Sequence, residues 1–146
     1  MSEPQGALAS LPTRLPPFSS AAVLALTATP WLQKVYETSE VDVNQTYTLW
    51  GMLATVNHSL LFALVLAIGI LLAFVVVGVL APPDQLLARS VLGWLAAVAA
   101  AGIIVFADNG HIPGAGVIIT LIVCVITAAV TSFAPLLQRF QAPTGT

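Results

Sequence analysis

The feature that most constrains this chain is one unbroken apolar run. From Leu60 to Leu80, 21 consecutive residues carry no charged or strongly polar side chain. The hydrocarbon core of a bilayer is about 30 Å thick, and a helix needs about 20 apolar residues to cross it. A run of this length therefore predicts a transmembrane helix.

The charge content of the chain leads to the same class of protein. Only 7% of the 146 residues are charged and 58% are hydrophobic, whereas a soluble domain carries about 25% charged residues. The net charge is −2, and the basic residues are scattered as Arg14, Lys34, Arg89 and Arg139. The low charge content predicts an integral membrane protein. Because no basic patch is present, we expect no nucleic-acid partner.

Two more apolar segments follow the first. The three segments cover about 48–80, 86–107 and 111–137. At 1.5 Å per residue the first is longer than the membrane core, so its polar front is expected to project from the bilayer. The predicted fold is an all-α integral membrane protein, with three transmembrane helices in residues 48–146.

Residues 1–47 are expected to form an extended, extramembrane tail that is Pro-rich at its start and acidic at its end. Its prolines disfavour a long helix, and only a short one is predicted at about 21–28. We expect the tail to dock on neighbouring subunits.

The arginines predict an orientation. Arg89 follows the first span and Arg139 follows the third, so both lie on one face of the membrane. The positive-inside rule assigns that face to the cytoplasm, stroma or matrix. The N-terminus and the turn at 108–111 are then expected outside or in a lumen, and the C-terminus inside, in a thylakoid or inner membrane.

Small residues predict how two of the helices pack. The second segment contains Ala96, Ala97, Ala100 and Ala101, and the third begins with Gly110, Gly114 and Gly116. Small residues let helix backbones approach closely in a bilayer. Segments two and three are therefore expected to form an antiparallel hairpin joined by the tight turn Asp108-Asn109-Gly110-His111.

The chain lacks the residue sets of several function classes. No Asp, Glu, Lys or Arg lies in the middle of a span, although transporters and pumps usually carry such groups there. No catalytic Ser/His/Asp set, Cys pair or glycine-rich phosphate loop is present either. We therefore expect a protein that is neither a transporter nor an enzyme.

His58, at the front edge of the apolar run, is the main candidate site residue. The predicted topology puts it on the same side as Asp108 and His111. His58 is open to three interpretations: a hydrogen-bonded packing residue, an axial ligand of chlorophyll or haem, or a ligand of copper, zinc or iron together with Asp108 and His111. The last two residues are also typical of helix ends at a membrane interface.

These observations favour a small accessory subunit of a multi-subunit membrane electron-transfer complex, photosynthetic or respiratory. It would pack against other membrane subunits and lipid, with His58 as the candidate chlorophyll or haem ligand. Two alternatives remain open. One is a self-assembling homo-oligomer such as a ring, pore or pilus-like fibre. The other is a subunit with a His/Asp metal site.

Overall fold

The computed structural model describes residues 4–37, 42–106 and 111–141, and these are mostly helical with one small sheet. The elements in chain order are α1 (Pro4–Leu26), β1 (Pro30–Glu37), β2 (Asp42–Thr48), α2 (Leu49–Thr55), α3 (His58–Leu80), α4 (Leu86–Phe106), β3 (His111–Pro113) and α5 (Ala115–Gln141).

Three of the helices match the predicted spans. Within α3, α4 and α5, the segments His58–Leu80, Leu86–Val105 and Ala115–Leu136 are long and apolar enough to cross a membrane. The prediction of three such helices is confirmed at the level of length and composition. The sheet was not predicted.

The first predicted span, 48–80, is not one continuous helix. Thr48 caps the short helix α2, and its hydroxyl accepts a hydrogen bond of 3.1 Å from the Gly51 amide. Val56 and Asn57 then adopt extended backbone, with ψ of 143° and 150°. The polar front of the segment therefore forms a separate helix, and α3 begins anew at His58.

Residues 4–26 form a long helix, so the expected extended tail is wrong for this part of the chain. The helix α1 contains Pro12, Pro16 and Pro17 in its interior, and it packs against α3 and α5. Gly78 of α3 makes room for it, because a Cβ there would overlap the Ser20 hydroxyl. Tertiary packing therefore overrides the low helix propensity of the prolines.

Two contacts on the C-terminal side of α1 define its direction. Ser20 lies against Gly78, near the end of α3. Thr27 accepts a hydrogen bond of 3.2 Å from the Trp50 indole, and both residues lie with Ile68 and Leu71, in the middle of α3. Thus α1 runs antiparallel to α3. It starts at the end of the bundle formed by the α3–α4 turn at 81–85, which we call the turn end.

The opposite end of the bundle holds the sheet and the start of α3, and we call it the sheet end. Here β1 lies between β2 and β3, and both pairings are antiparallel. The tail was predicted on the His58 side, opposite the C-terminus. Within the bundle, β1 and β2 lie at the end where α3 begins, whereas α1 starts at the turn end. The side of a membrane on which each lies stays a prediction.

The third helix begins at Ala115 and not at His111, because His111 belongs to β3. Most of the predicted tight turn, residues 108–110, lies outside the described residues. Gly114 and Gly116 face β1 rather than α4, since a Cβ on either would overlap Pro30 or Thr29. The Gly114 amide also donates a hydrogen bond of 2.7 Å to the Trp31 carbonyl.

The predicted packing of α4 against α5 through small residues is present. The two helices are in close contact at Gly93, because a Cβ there would lie 2.9 Å from the Ala128 Cβ. The Ser90 and Ser132 hydroxyls are 2.5 Å apart nearby. Apart from Ala128, the buried side chains of α5 follow alternating three- and four-residue steps, as in a helix packed along a narrow seam: Val117, Thr120, Cys124, Thr127, Thr131 and Ala134.

Candidate ligand groove

A groove of about 580 Å³ lies between α3 and α4 at the sheet end. Its walls are apolar and come from two of the helices that are long and apolar enough to span a membrane. They consist of Leu60, Ala63, Leu64, Leu66, Ala67 and Ile70 of α3 and Leu95, Val98, Ala99, Gly102 and Ile103 of α4.

The sheet closes one end of this groove and supplies its polar groups. In a strand, residues two apart project from the same face, so Leu32 and Lys34 of β1 share a face. Tyr47 of β2 pairs with Leu32, and His111 of β3 pairs with Lys34. All four line the groove. Two alternate register positions on one sheet face, at Leu32 and Lys34, thus carry a polar cluster of Lys34, Tyr47 and His111, which we call the head cluster.

The rings of Tyr47 and His111 contact each other within the head cluster. Their centroids are 6.0 Å apart with an interplanar angle of 58°, a tilted arrangement in the range aromatic pairs prefer. Both side chains are half-buried. The contact orients two hydrogen-bonding side chains toward the same end of the groove.

The corner between α2 and α3 forms the remaining polar part of the lining, with Thr55, Val56 and Asn57. Asn57 is the N-cap residue of α3, but its side chain makes no capping hydrogen bond. The break in the first predicted span therefore places an exposed amide at the groove.

Lys34 is the one Lys or Arg, and no Asp or Glu occurs, among the described residues that line the groove. The side chains of Lys34, Tyr47 and His111 can all donate hydrogen bonds. This end of the groove is therefore suited to a group rich in acceptor oxygens.

His58, the predicted cofactor ligand, lies next to the groove but does not line it. It is the first residue of α3, and its side chain is exposed. Its neighbour Asn57 is the one that reaches the groove. A ligand bound by His58 would lie on the outer surface of the bundle. The cofactor role stays a prediction.

The predicted metal set of His58, Asp108 and His111 is only partly within the described residues. Asp108 lies outside them. In residues 4–37, 42–106 and 111–141, no three His, Cys, Asp or Glu side chains are grouped closely enough to hold a metal ion. His111 is in the head cluster whereas His58 is not, and the metal site stays a prediction.

Arg89 is a buried cation at the turn end. Its side chain is 5% exposed, and one terminal nitrogen donates a hydrogen bond of 2.6 Å to the Ala81 carbonyl. The other terminal nitrogen and Nε have no hydrogen-bond partner among the described residues. From the sequence Arg89 was assigned only to the membrane interface, and its burial was not foreseen.

Sequence reasoning also missed Lys34 and Tyr47, because both fall within the predicted tail. Residues 31–37 alternate loosely between apolar and polar side chains, and residues 46–48 combine two threonines with a tyrosine. Alternation and such residue types are typical of strands. This signal was present, but it does not reveal that the strands cover one end of the groove between α3 and α4.

Comparison with protein-family models, with curated proteins and with solved structures finds no significant match to this chain.

Proposed function

We propose that the chain is an integral membrane protein that binds an amphipathic, lipid-like molecule in the groove between α3 and α4. The observation that carries this proposal is the division of the groove into apolar helical walls and a polar end that contains Lys34, Tyr47 and His111. Its volume of about 580 Å³ falls within the range of about 300–1,000 Å³ typical of small-molecule sites. The role is binding without catalysis.

The position of the groove supports a ligand that arrives from the bilayer. Its walls belong to α3 and α4, both long and apolar enough to span a membrane. In the proposed setting, an apolar chain would leave lipid for the groove, and lipid is about as apolar as the walls. Transfer of the ligand's apolar chain from lipid therefore contributes little to the binding free energy. The affinity depends on packing in the groove and on the polar head of the ligand.

Two glycines provide a matched test. Gly102 lines the groove and Gly69 is exposed on α3, and a Cβ at either would have no neighbour within 4 Å. Gly102→Leu should fill the groove, whereas Gly69→Leu should add the same volume outside it. We expect native mass spectrometry of the protein released from a mild detergent to show a bound amphiphile in the wild type and in Gly69→Leu, but not in Gly102→Leu. Equal occupancy in all three proteins would contradict the proposal.

A second proposal keeps the chain as an accessory subunit of a photosynthetic or respiratory electron-transfer complex. The exposed position of His58, close to Phe62 with 77% exposure, favours it. A chlorophyll or haem ligated by His58 would lie on the outer surface of α3, where a neighbouring membrane subunit would cover its other side. The absorption spectrum of the intact complex tests this role, because His58→Leu should remove a pigment band. An unchanged spectrum would exclude the ligand role of His58. Purification of a homo-oligomer without other subunits would favour the self-assembly alternative.

The orientation remains part of the proposal. With Arg89 at the turn end and Arg139 in the last turns of α5, the positive-inside rule assigns the turn end to the cytoplasm, stroma or matrix. The start of α1 would then also lie inside, and the head cluster would lie toward the outer or lumenal side of a thylakoid or inner membrane.

A further inference from the structure

We infer that α1 is a fourth membrane-embedded helix and that its exposed side contacts the hydrocarbon chains of the bilayer. We call this side the lipid face, and it consists of Pro17, Phe18, Ala21, Leu24 and Ala25. The inference rests on the proposed membrane insertion of the chain and goes beyond the groove between α3 and α4. By length and composition alone, α1 is not among the described helices that can cross a membrane.

The polarity of this helix is inverted relative to a helix at an aqueous surface, which buries its apolar side chains and exposes its polar ones. In residues 15–28 the polar side chains are Ser19, Ser20 and Thr27, and all three are buried. The lipid face of the same segment contains only apolar side chains, and Phe18 is 75% exposed. In a bilayer, small and polar residues are enriched between packed helices, which leaves the larger apolar ones toward lipid. The inverted polarity of α1 is therefore the pattern of a helix surrounded partly by lipid.

Two of these buried hydroxyls donate hydrogen bonds within the same segment. The Ser19 hydroxyl donates to the Leu15 carbonyl at 2.9 Å, and the Thr27 hydroxyl donates to the Leu24 carbonyl at 2.7 Å. Ser19 also accepts a hydrogen bond from Thr127 of α5. Polar groups of a helix in lipid must be satisfied within the protein, because no water reaches them. The prolines of α1 are compatible with this setting, since neighbouring helices and Ser or Thr side chains compensate for the missing amides in membrane helices.

Contacts with α5 define the depth of α1 in the bundle. Ser19 is hydrogen-bonded to Thr127. Beyond the end of α1, Thr29 lies so close to Gly116 that a Cβ on the glycine would overlap the threonine hydroxyl. Ten positions separate the two contacts along the N-terminal segment and eleven along α5, which is about 15–17 Å of helix in each case. The two segments therefore run side by side, and the lipid face lies at the depth of the candidate span Ala115–Leu136.

Arg14 lies at the boundary of the lipid face on the side of the turn end. It is exposed, and residues 15–33 contain no charged side chain. Pro16 lies beside Gly78, which places Arg14 near the edge of the candidate span His58–Leu80. An arginine at this depth can extend its charged group to the interface while its aliphatic part stays in the apolar layer. The uncharged part of α1 therefore begins at the interface and continues into the bilayer.

The experiment attaches a nitroxide spin label to single cysteines in the full-length Cys124→Ala protein, reconstituted in phosphatidylcholine vesicles. Electron paramagnetic resonance then measures the collisions of each label with oxygen, which concentrates in hydrocarbon, and with a water-soluble nickel chelate. Leu24→Cys reports on the lipid face. Val76→Cys on α3 is the matched lipid control, because the native side chains at these two positions are 50% and 51% exposed. Gln45→Cys, at an exposed position of β2, is the water control.

Collisions with oxygen should persist and collisions with nickel should be lost at Leu24→Cys and Val76→Cys, whereas nickel should reach Gln45→Cys. Ala21→Cys should behave as Leu24→Cys does, and it reports on the lipid face even if Leu24→Cys fails to fold. Nickel access at the lipid face, with none at Val76→Cys, would overturn the inference and leave membrane insertion intact. Loss of both kinds of collision at the lipid face would mean that protein covers it, which would also overturn the inference. Nickel access at Val76→Cys would instead overturn the proposed membrane insertion itself.

Discussion

The Thr127 hydroxyl of α5 donates a hydrogen bond of 2.6 Å to the Ser19 hydroxyl of α1, although 108 positions separate the two residues. Ser19 in turn donates to the Leu15 carbonyl at 2.9 Å. Both side chains are buried. A proline-containing segment expected to be a tail is thereby joined to the last helix of the bundle by a polar contact in an apolar setting.

The first prediction concerns the energy of this contact. Ser19→Ala and Thr127→Val should each destabilise the protein, and the double variant should be less destabilised than the sum of the two. Polar contacts between membrane helices average about 0.6 kcal/mol in double-mutant cycles, so a coupling energy of about 0.5–1.5 kcal/mol is expected. Reversible unfolding in mixed detergent would measure it. Strict additivity would mean that the hydroxyls do not interact, and Thr55→Val, at an exposed hydroxyl of α2, is the control.

The second prediction concerns the space that Gly78 leaves for α1. Gly78→Ala places a Cβ against the Ser20 side chain and 3.1 Å from the Pro16 carbonyl oxygen, and overpacking of this kind typically costs about 1–3 kcal/mol. The thermal unfolding midpoint of Gly78→Ala should therefore fall. Gly69→Ala, on the same helix with open space around its Cβ, should leave it unchanged or raise it. A similar midpoint for both variants would show that α1 does not pack at Gly78, and Ser20→Gly should partly rescue Gly78→Ala.

The third prediction concerns the direction of α1. Single cysteines at the exposed positions Thr13, Asp84 and Gln45 should report on the two ends of the bundle, in a Cys124→Ala background. In sealed vesicles, an impermeant maleimide should label Thr13→Cys and Asp84→Cys from one side of the membrane and Gln45→Cys from the other. Labelling of Thr13→Cys from the same side as Gln45→Cys would contradict this prediction and support a topology in which the whole N-terminal segment lies outside. Detergent-solubilised protein should react at all three positions and serves as the control.

The fourth prediction concerns the buried charge of Arg89. Its single hydrogen bond to the Ala81 carbonyl leaves two nitrogens unpartnered among the described residues. A buried charge with incomplete pairing carries a desolvation cost that often exceeds its gain, and apolar replacement is often neutral or stabilising by about 1–4 kcal/mol. Arg89→Met should therefore keep or raise the thermal unfolding midpoint. A fall of several degrees would mean that the bond to Ala81 outweighs the burial of the charge, and Arg14→Met, at an exposed cation, is the comparison.

The residues of the proposed site differ in how far local sequence reveals them. His111 was singled out because a histidine beside a span is conspicuous, but it was assigned to a metal site and a helix start. Lys34 and Tyr47 come from a segment predicted as tail. They join His111 only because β1 pairs with β2 on one side and with β3 on the other, and register between distant strands cannot be read from one short segment.

Hydropathy and length alone are enough to predict three helices that can span a membrane, because apolar runs such as Leu60–Leu80 have few alternatives to a helix in lipid. They also indicate that α4 packs closely, since small residues carry that signal locally. The helical state of α1 depends instead on contacts with Gly78 and Thr127, which outweigh the propensity of its prolines. The break at Asn57 and the groove arise in the same way, from packing between elements distant in sequence, and such packing energies are absent from any local window of residues.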